Sequence, residues 1–242
     1  MSMKNKEKTI KIVEDSRSEI INEVKNGIDG MLIHPDLAIH KCIEMISKFA
    51  IIKVLSGKDG IRLVDGEENR YPDIPIITDL FNNKIAIDVK SSNSTSGKGL
   101  SGNDAFSFIN FESSRYNVFV EEFIIGVVYE VINNKLYTKN VIFDKLHFLL
   151  AKRKKDGFMS HGGDKFNSRM LSINRYNNGD YDYLSREELL VGCKETYNFL
   201  LENPKFFNLV NDFKIKRPKK NSNTYDPVGD YTKLLLEKLE MI

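Results

Sequence analysis

The chain has 242 residues, of which 41% are hydrophobic, and its formal net charge is only +2. This composition supports one sizeable hydrophobic core and excludes a disordered chain. No apolar run reaches the roughly 18 to 20 residues of a membrane span, and the lysine-rich start lacks the apolar centre of a signal peptide. Cys42 and Cys193 form no zinc-binding pattern. We therefore expect a cytoplasmic protein with reduced thiols.

The first part of the chain is predicted to be helical. Residues 1–35 carry short apolar clusters, and we interpret them as an N-terminal extension and a possible dimerisation element. Residues 36–242 show no clear linker, so we expect one domain there. Apolar residues at helical spacing predict a helix from Asp36, a plausible N-cap, to about Leu55.

The next part reads as strands. Ile61–Val64 predicts a short strand, and Tyr71–Thr78 and Lys84–Lys90 predict two more that are joined as a hairpin through 79–83. Ser91–Asn103 is rich in Ser, Gly and Asn and is predicted to be a loop.

The remainder mixes both types of element. We expect a helix within Ala105–Phe123 and a buried central strand at Ile124–Val131, whereas Tyr137–Leu150 is ambiguous between strand and helix. Ser185–Glu188 matches a capping box that would start a helix reaching about Leu201. The whole pattern predicts an α/β fold with a central mixed β-sheet flanked by helices.

The strand at Lys84–Lys90 carries the most informative residues. Because side chains alternate along a strand, Asp88 and Lys90 share one face and the apolar residues share the other. If the hairpin pairs, Asp73 can meet Asp88 at one end of the sheet. The apolar residues of this strand are Ile85, Ile87 and Val89.

Two carboxylates and an ammonium group suit the hydrolysis of phosphodiester bonds. Asp73 and Asp88 can hold Mg²⁺, which keeps several waters and accepts a phosphate oxygen. The ion lowers the pKa of a bound water and stabilises charge on the phosphate. Lys90 can hydrogen-bond the attacking water and neutralise the same charge. An acidic residue two before a lysine also occurs at Glu23-Val24-Lys25, so the strand context gives the pattern its weight.

These residues resemble those of the PD-(D/E)XK nucleases, and most closely the EcoRV-type restriction endonucleases. The resemblance rests on Arg70-Tyr71-Pro72-Asp73 followed by Lys84–Lys90. It extends upstream through Ile43-Glu44 and downstream through Ile124–Tyr129, and it covers about residues 36 to 131.

The resemblance implies a bacterial Mg²⁺-dependent homodimer that cuts both strands of a short palindrome in double-stranded DNA, leaving blunt ends. It assigns Asp73 and Asp88 to the metal and Lys90 to catalysis. It gives Glu44, on the helix beside the site, an auxiliary metal or catalytic role. Residues 36–242 would then form the catalytic and DNA-binding domain, within a restriction-endonuclease-like fold.

Two loops are candidates for contacting DNA. The segment 160–169 corresponds to the family's major-groove recognition loop, and 67–70 corresponds to its minor-groove loop. Polar groups in such loops can read base edges or hold the phosphate backbone. The candidate DNA-binding residues are Asn69, Arg70, Ser91, Ser92, Gly163, Asp164, Lys165, Asn167, Ser168 and Arg169.

Other functions remain open at this point. The chain could be a PD-(D/E)XK nuclease of DNA repair or recombination, or a catalytically inactive DNA-binding protein of the same fold. The absence of a GxxxxGK[ST] motif argues against a nucleotide cofactor. The basic run Lys152–Lys155 permits contact with phosphates but does not demonstrate it.

Overall fold

The computed structural model describes residues 3–34, 38–64, 76–79, 84–96, 100–104, 119–162, 167–202 and 204. The chain divides into two compact units. The first unit comprises Met1–Ser101 and Phe119–Leu149, and the second comprises Gly102–Val118 and Leu150–Ile242.

The described residues form both helices and strands. The helices are α1 (Met3–Asp15), α2 (Arg17–Ile28), α3 (Ile39–Leu55), α4 (Leu146–Leu149), α5 (Ile173–Asn177) and α6 (Arg186–Leu201). The strands are β1 (Met31–Leu32), β2 (Ile61–Val64), β3 (Ile76–Asp79), β4 (Lys84–Asn93), β5 (Ser101–Asp104), β6 (Phe119–Ile132), β7 (Lys135–Lys145), β8 (His161–Gly162) and β9 (Asn167–Arg169).

The first unit is built on a mixed six-stranded sheet. Its strand order is β1-β7-β6-β4-β3-β2. Strands β4 and β6 run parallel, whereas the pairs β1/β7, β6/β7, β3/β4 and β2/β3 are antiparallel. The predicted α/β class with a central mixed sheet flanked by helices is therefore confirmed.

One face of this sheet forms the hydrophobic core together with helices α1, α2 and α3. Phe123 of β6 and Phe143 of β7 stack at the centre, with ring centroids 5.2 Å apart. Helix α2 adds Ile20, Val24 and Ile28, all fully buried. Their spacing of four residues places them on one side of the helix, which explains why this segment folds onto the sheet.

The N-terminal helices are part of this core and do not form a separate extension. Ile10 and Val13 of α1 lie in the same buried cluster as Ile51 of α3 and Ile87 of β4. Helices α1 and α2 therefore cover apolar strand residues. The possible role of residues 1–35 in dimerisation stays a prediction.

Several predicted elements are confirmed and others are corrected. The β3/β4 hairpin is present, with Ile77 opposite Ile85. The predicted loop at 91–103 is wrong in part, because β4 continues to Asn93 and β5 begins at Ser101. Residues 119–123, expected in a helix, belong to β6. The ambiguous segment is a strand to Lys145 followed by α4.

The second unit contains a three-stranded sheet and the helices α5 and α6. The strand order is β5-β9-β8. The capping box at the start of α6 is confirmed, since Glu188 N donates to Ser185 Oγ over 3.1 Å. The Glu188 side chain in turn accepts a hydrogen bond from Leu184 N over 2.8 Å. Both bonds satisfy backbone donors near a helix end. No helix in the described ranges combines the length and apolar character needed to cross a membrane.

The aromatic centre of the core gives the first test. Replacing Phe143→Ala removes a side chain that is 0% exposed, and such a change lowers the free energy of unfolding by about 3–5 kcal/mol. Phe49→Ala is the matched control, because Phe49 is 61% exposed and its loss changes stability by at most about 0.5 kcal/mol. Urea unfolding followed by circular dichroism measures both. Equal losses in the two variants would contradict the described core.

Candidate active site

The two faces of β4 have different chemistry. Ile85, Ile87 and Val89 belong to the hydrophobic core cluster. Asp88 and Lys90 occupy the alternate positions, so their side chains leave the strand on the opposite face. The sequence alternation thus predicted correctly which residues of this strand face the core.

Asp88 and Lys90 form an ion pair on this second face. Lys90 Nζ lies 2.6 Å from Asp88 Oδ2, and the two side chains are 19% and 7% exposed, respectively. A short charge-assisted contact with so little water around it is stronger than an exposed surface pair. The pair places a cation and a carboxylate oxygen within one hydrogen bond of each other.

A second carboxylate lies on the same face but was missed by sequence reasoning. Glu122 of β6 is opposite Ala86 in the parallel register, one row from Asp88, which is opposite Ile124. Glu122 is 1% exposed. Residues that are opposite each other in a sheet share a face, so Glu122 belongs to the face of Asp88 and Lys90. Only the β4/β6 register reveals this, because the two strands are distant in sequence.

The row through Asp88 continues to a third buried carboxylate. Ile124 of β6 is opposite Asp144 of β7. Asp144 Oδ1 lies 2.6 Å from Arg17 Nη2, and the Asp144 side chain is 2% exposed. It also accepts a hydrogen bond from Lys145 N over 2.8 Å. Because Arg17 begins helix α2, this pair ties that helix to the sheet.

Glu44 lies on α3, the helix that packs against the core face. Its carboxylate is 28% exposed and lies 2.8 Å from Lys41 Nζ on the same helix. The buried residues of α3 include Ile43 and Ser47, on either side of Glu44 in the sequence. Glu44 is therefore a partly exposed carboxylate at the edge of the core, and its auxiliary metal role stays a prediction.

The remaining predicted metal ligand lies outside the described residues. Asp73, Asn69 and Arg70 fall in residues 65–75, which the structure does not describe. The β3/β4 pairing supports the hairpin on which Asp73 was predicted. Within the described ranges no three Asp, Glu, His or Cys side chains group closely enough to hold a metal ion. The meeting of Asp73 and Asp88 stays a prediction.

The candidate DNA-binding residues fall into three groups. Ser91 and Ser92 continue β4 beyond Lys90 and are half-buried. Ser168 in β9 is fully buried, whereas the adjacent Arg169 is exposed, and the contacts of both with DNA stay predictions. The structure does not describe Gly163, Asp164 and Lys165, and it describes only the backbone of Asn167.

The basic run of the second unit forms a tight turn. Lys152 bridges Met159, and Arg153 N donates to Phe158 O over 2.7 Å. The Arg153 guanidinium binds Asp156 and, by this hydrogen bond above all, lowers the pKa of that carboxyl. The rest of the turn presents Lys154 and Lys155 to solvent. The exposed side chains of Lys154 and Lys155 can therefore contact an anion.

The ion pair gives a test of the site's electrostatics. Lys90→Met removes the cation beside Asp88, which is 7% exposed, and this loss lowers the free energy of unfolding by about 1–3 kcal/mol. Lys139→Met is the control, because Lys139 pairs with Glu130 and its side chain is 53% exposed. An ion pair at such an exposed site contributes at most about 1 kcal/mol. Chemical unfolding compares the two variants without DNA or metal. A Lys90→Met loss no larger than the control's would refute a tightly coupled pair.

Neither a protein-family model nor a curated protein sequence matches this chain at a significant level. Among solved structures, the chain is similar to the NlaIV restriction endonuclease, with 14% sequence identity and a TM-score of 0.45. The match covers 85% of this chain and 77% of that one. The α/β class itself follows from the strands and helices described above.

Proposed function

We propose that this chain is a restriction endonuclease that hydrolyses phosphodiester bonds in double-stranded DNA with Mg²⁺. The observation that carries the proposal is the Asp88–Lys90 pair, whose Nζ and Oδ2 lie 2.6 Å apart on one face of β4. A nuclease needs a carboxylate for a hard cation and a positive group for the charge that develops on the phosphate. Both groups stand on one rigid strand here.

The donor chemistry of this face fits Mg²⁺. Carboxylate oxygens are the protein ligands that Mg²⁺ prefers, and it is commonly bound by one or two of them. Asp88 would supply one ligand and Asp73 the other. When bound, the ion supplies an activated water and stabilises charge on the phosphate.

Lys90 would act beside the bound phosphate through its protonated amine. Its Nζ is one hydrogen bond from the carboxylate oxygen of Asp88, so it stands next to the place where a scissile phosphate would approach. There the ammonium group can hydrogen-bond the attacking water and neutralise charge on the phosphate oxygens. The rigid strand fixes its distance from Asp88, and this preorganisation favours the transition state.

We also propose a quaternary arrangement and a cleavage pattern. A palindrome presents each half-site twice, so a homodimer with two-fold symmetry matches it. We infer that each subunit cuts one strand and that the ends are blunt. Arg169, Asn167 and the exposed lysines of the 152–155 turn are the proposed contacts with DNA.

Cleavage of a fully sequenced plasmid tests the reaction. Asp88→Asn keeps the shape of the side chain but removes the metal ligand's charge, and Mg²⁺-dependent cutting falls by at least the roughly 10- to 100-fold that loss of a metal ligand's hydrogen-bond partner causes. Lys90→Met lowers kcat by about 100- to 1,000-fold because it removes one stabilising donor. Discrete fragments from the unaltered protein, with blunt sequenced ends, are the expected product.

The control for this experiment is Glu121→Gln. Glu121 is a 7% exposed carboxylate, and it is opposite Ile85 in the register, so it lies on the other face. Its variant retains most of the cutting activity. Full activity of folded Asp88→Asn would overturn the proposal, and a smear of fragments would point to a less specific nuclease of repair or recombination.

Binding measurements test the proposed division between base reading and phosphate contact. With Ca²⁺ in place of Mg²⁺, Asn167→Ala weakens binding to the cleaved site by about 1–3 kcal/mol and weakens binding to unrelated DNA much less. Lys155→Ala weakens both about equally and lowers the salt dependence of binding by about one unit. Equal losses for Asn167→Ala on the two DNAs would reduce this residue to a positioning contact.

A further inference from the structure

Gly126 is the residue of β6 that lies directly beside Lys90. It is opposite Lys90 in the parallel register and opposite Ile142 of β7 in the antiparallel one. Its neighbours Ile125 and Val127 belong to the core cluster. A side chain at position 126 would therefore stand on the face of Asp88 and Lys90, in the same row as Lys90.

The space above Gly126 is already filled by Leu100. A β-carbon built on Gly126 would lie 2.7 Å from Leu100 Cδ1 and 3.8 Å from Ile142 Cβ. Leu100 is 7% exposed. Gly126 lies in the middle of β6, which pairs with β4 on one side and with β7 on the other. Its φ angle is not positive. The position requires glycine because of the space that Leu100 needs, and not because of the backbone.

Because Leu100 fills the space above Gly126, which is opposite Lys90, it can serve as an apolar wall beside the stem of Lys90. A lysine stem packs well against apolar surface while its amine remains at the polar end. Such a wall limits the conformations open to Lys90 and keeps water from one side of its pair with Asp88. This agrees with the low exposure of the Lys90 side chain, 19%.

We propose that Gly126 and Leu100 are positioning residues for Lys90. Gly126 leaves room for Leu100 against the sheet, and Leu100 holds the Lys90 side chain in the orientation that pairs with Asp88. The catalytic consequence rests on the proposed function. The effect on Lys90 itself does not, since the accessibility of its amine can be measured without DNA.

The first experiment labels lysine amines at low conversion with acetic anhydride and locates the label by peptide mass spectrometry. In Gly126→Ala the new methyl group displaces the tip of Leu100, a flexible group whose movement leaves the sheet intact. Labelling of Lys90 relative to Lys139 rises by a factor of about two or more, because a lysine side chain is acetylated faster when the reagent can reach it. Lys139 is a suitable internal reference because it is 53% exposed.

Two further variants keep the test decisive. Leu100→Ala removes the wall without a steric clash, and labelling of Lys90 rises as it does in Gly126→Ala. In Gly126→Ala/Leu100→Ala the alanine methyl at 126 occupies part of the vacated place, so the labelling change is smaller than the two single changes combined. Gly192→Ala is the strain control, because its β-carbon would lie 2.7 Å from Tyr183 Cε1 in the second unit. It leaves Lys90 labelling unchanged.

The second experiment measures DNA cleavage by the same variants. Gly126→Ala and Leu100→Ala lower kcat by about 10- to 100-fold, as expected for a misplaced catalytic group, whereas KM changes little. Unchanged Lys90 labelling in both folded variants would overturn the inference. Increased labelling with undiminished kcat would overturn the catalytic consequence of this positioning. If the unaltered protein cuts no DNA, the proposed function fails, and the labelling alone then decides whether Gly126 and Leu100 position Lys90.

Discussion

The parallel pairing of β4 with β6 is the constraint on which the rest of the structure depends. It aligns Ile85 to Asn93 with Glu121 to Tyr129, and it fixes two faces at once. One face carries Ile87, Phe123 and the other residues of the hydrophobic core. Because side chains alternate, the same pairing places the acidic and basic residues of both strands on the opposite face. A slip of one residue would exchange the two faces.

The opposite face is unusual in how much charge it buries. Asp88, Glu122 and Asp144 are all at most 5% exposed, although a buried carboxylate is costly without compensation. Lys90 and Arg17 supply cations to Asp88 and Asp144. A divalent cation bound as proposed would add further positive charge beside Asp88. The same logic gives Leu100 its importance, because an apolar neighbour strengthens the charge interactions beside it.

The sequence predicted the chemistry of β4 better than its surroundings. Alternation within Ile85–Lys90 is a local property, so the core face and the Asp88–Lys90 face could be read directly. The partners of Asp88 across the sheet could not, because the register between β4 and β6 joins segments that are more than thirty residues apart in the sequence. The contribution of helices α1 and α2 to the hydrophobic core was not predicted for a similar reason. Their apolar residues can be assigned to the core only when the sheet that they cover is known. Asp73 was predicted from its hairpin, and it lies outside the residues that the structure describes.

The central claim is that Asp88 and Lys90 form part of a divalent metal site on the β4 face. Anomalous scattering from crystals soaked in Mn²⁺, with DNA bound, tests it most directly, because Mn²⁺ takes the same oxygen ligands as Mg²⁺. The account predicts an anomalous peak bonded to a carboxylate oxygen of Asp88, on the side of Lys90, which disappears in Asp88→Asn. A peak bonded only to other residues, or no change in Asp88→Asn, would contradict it.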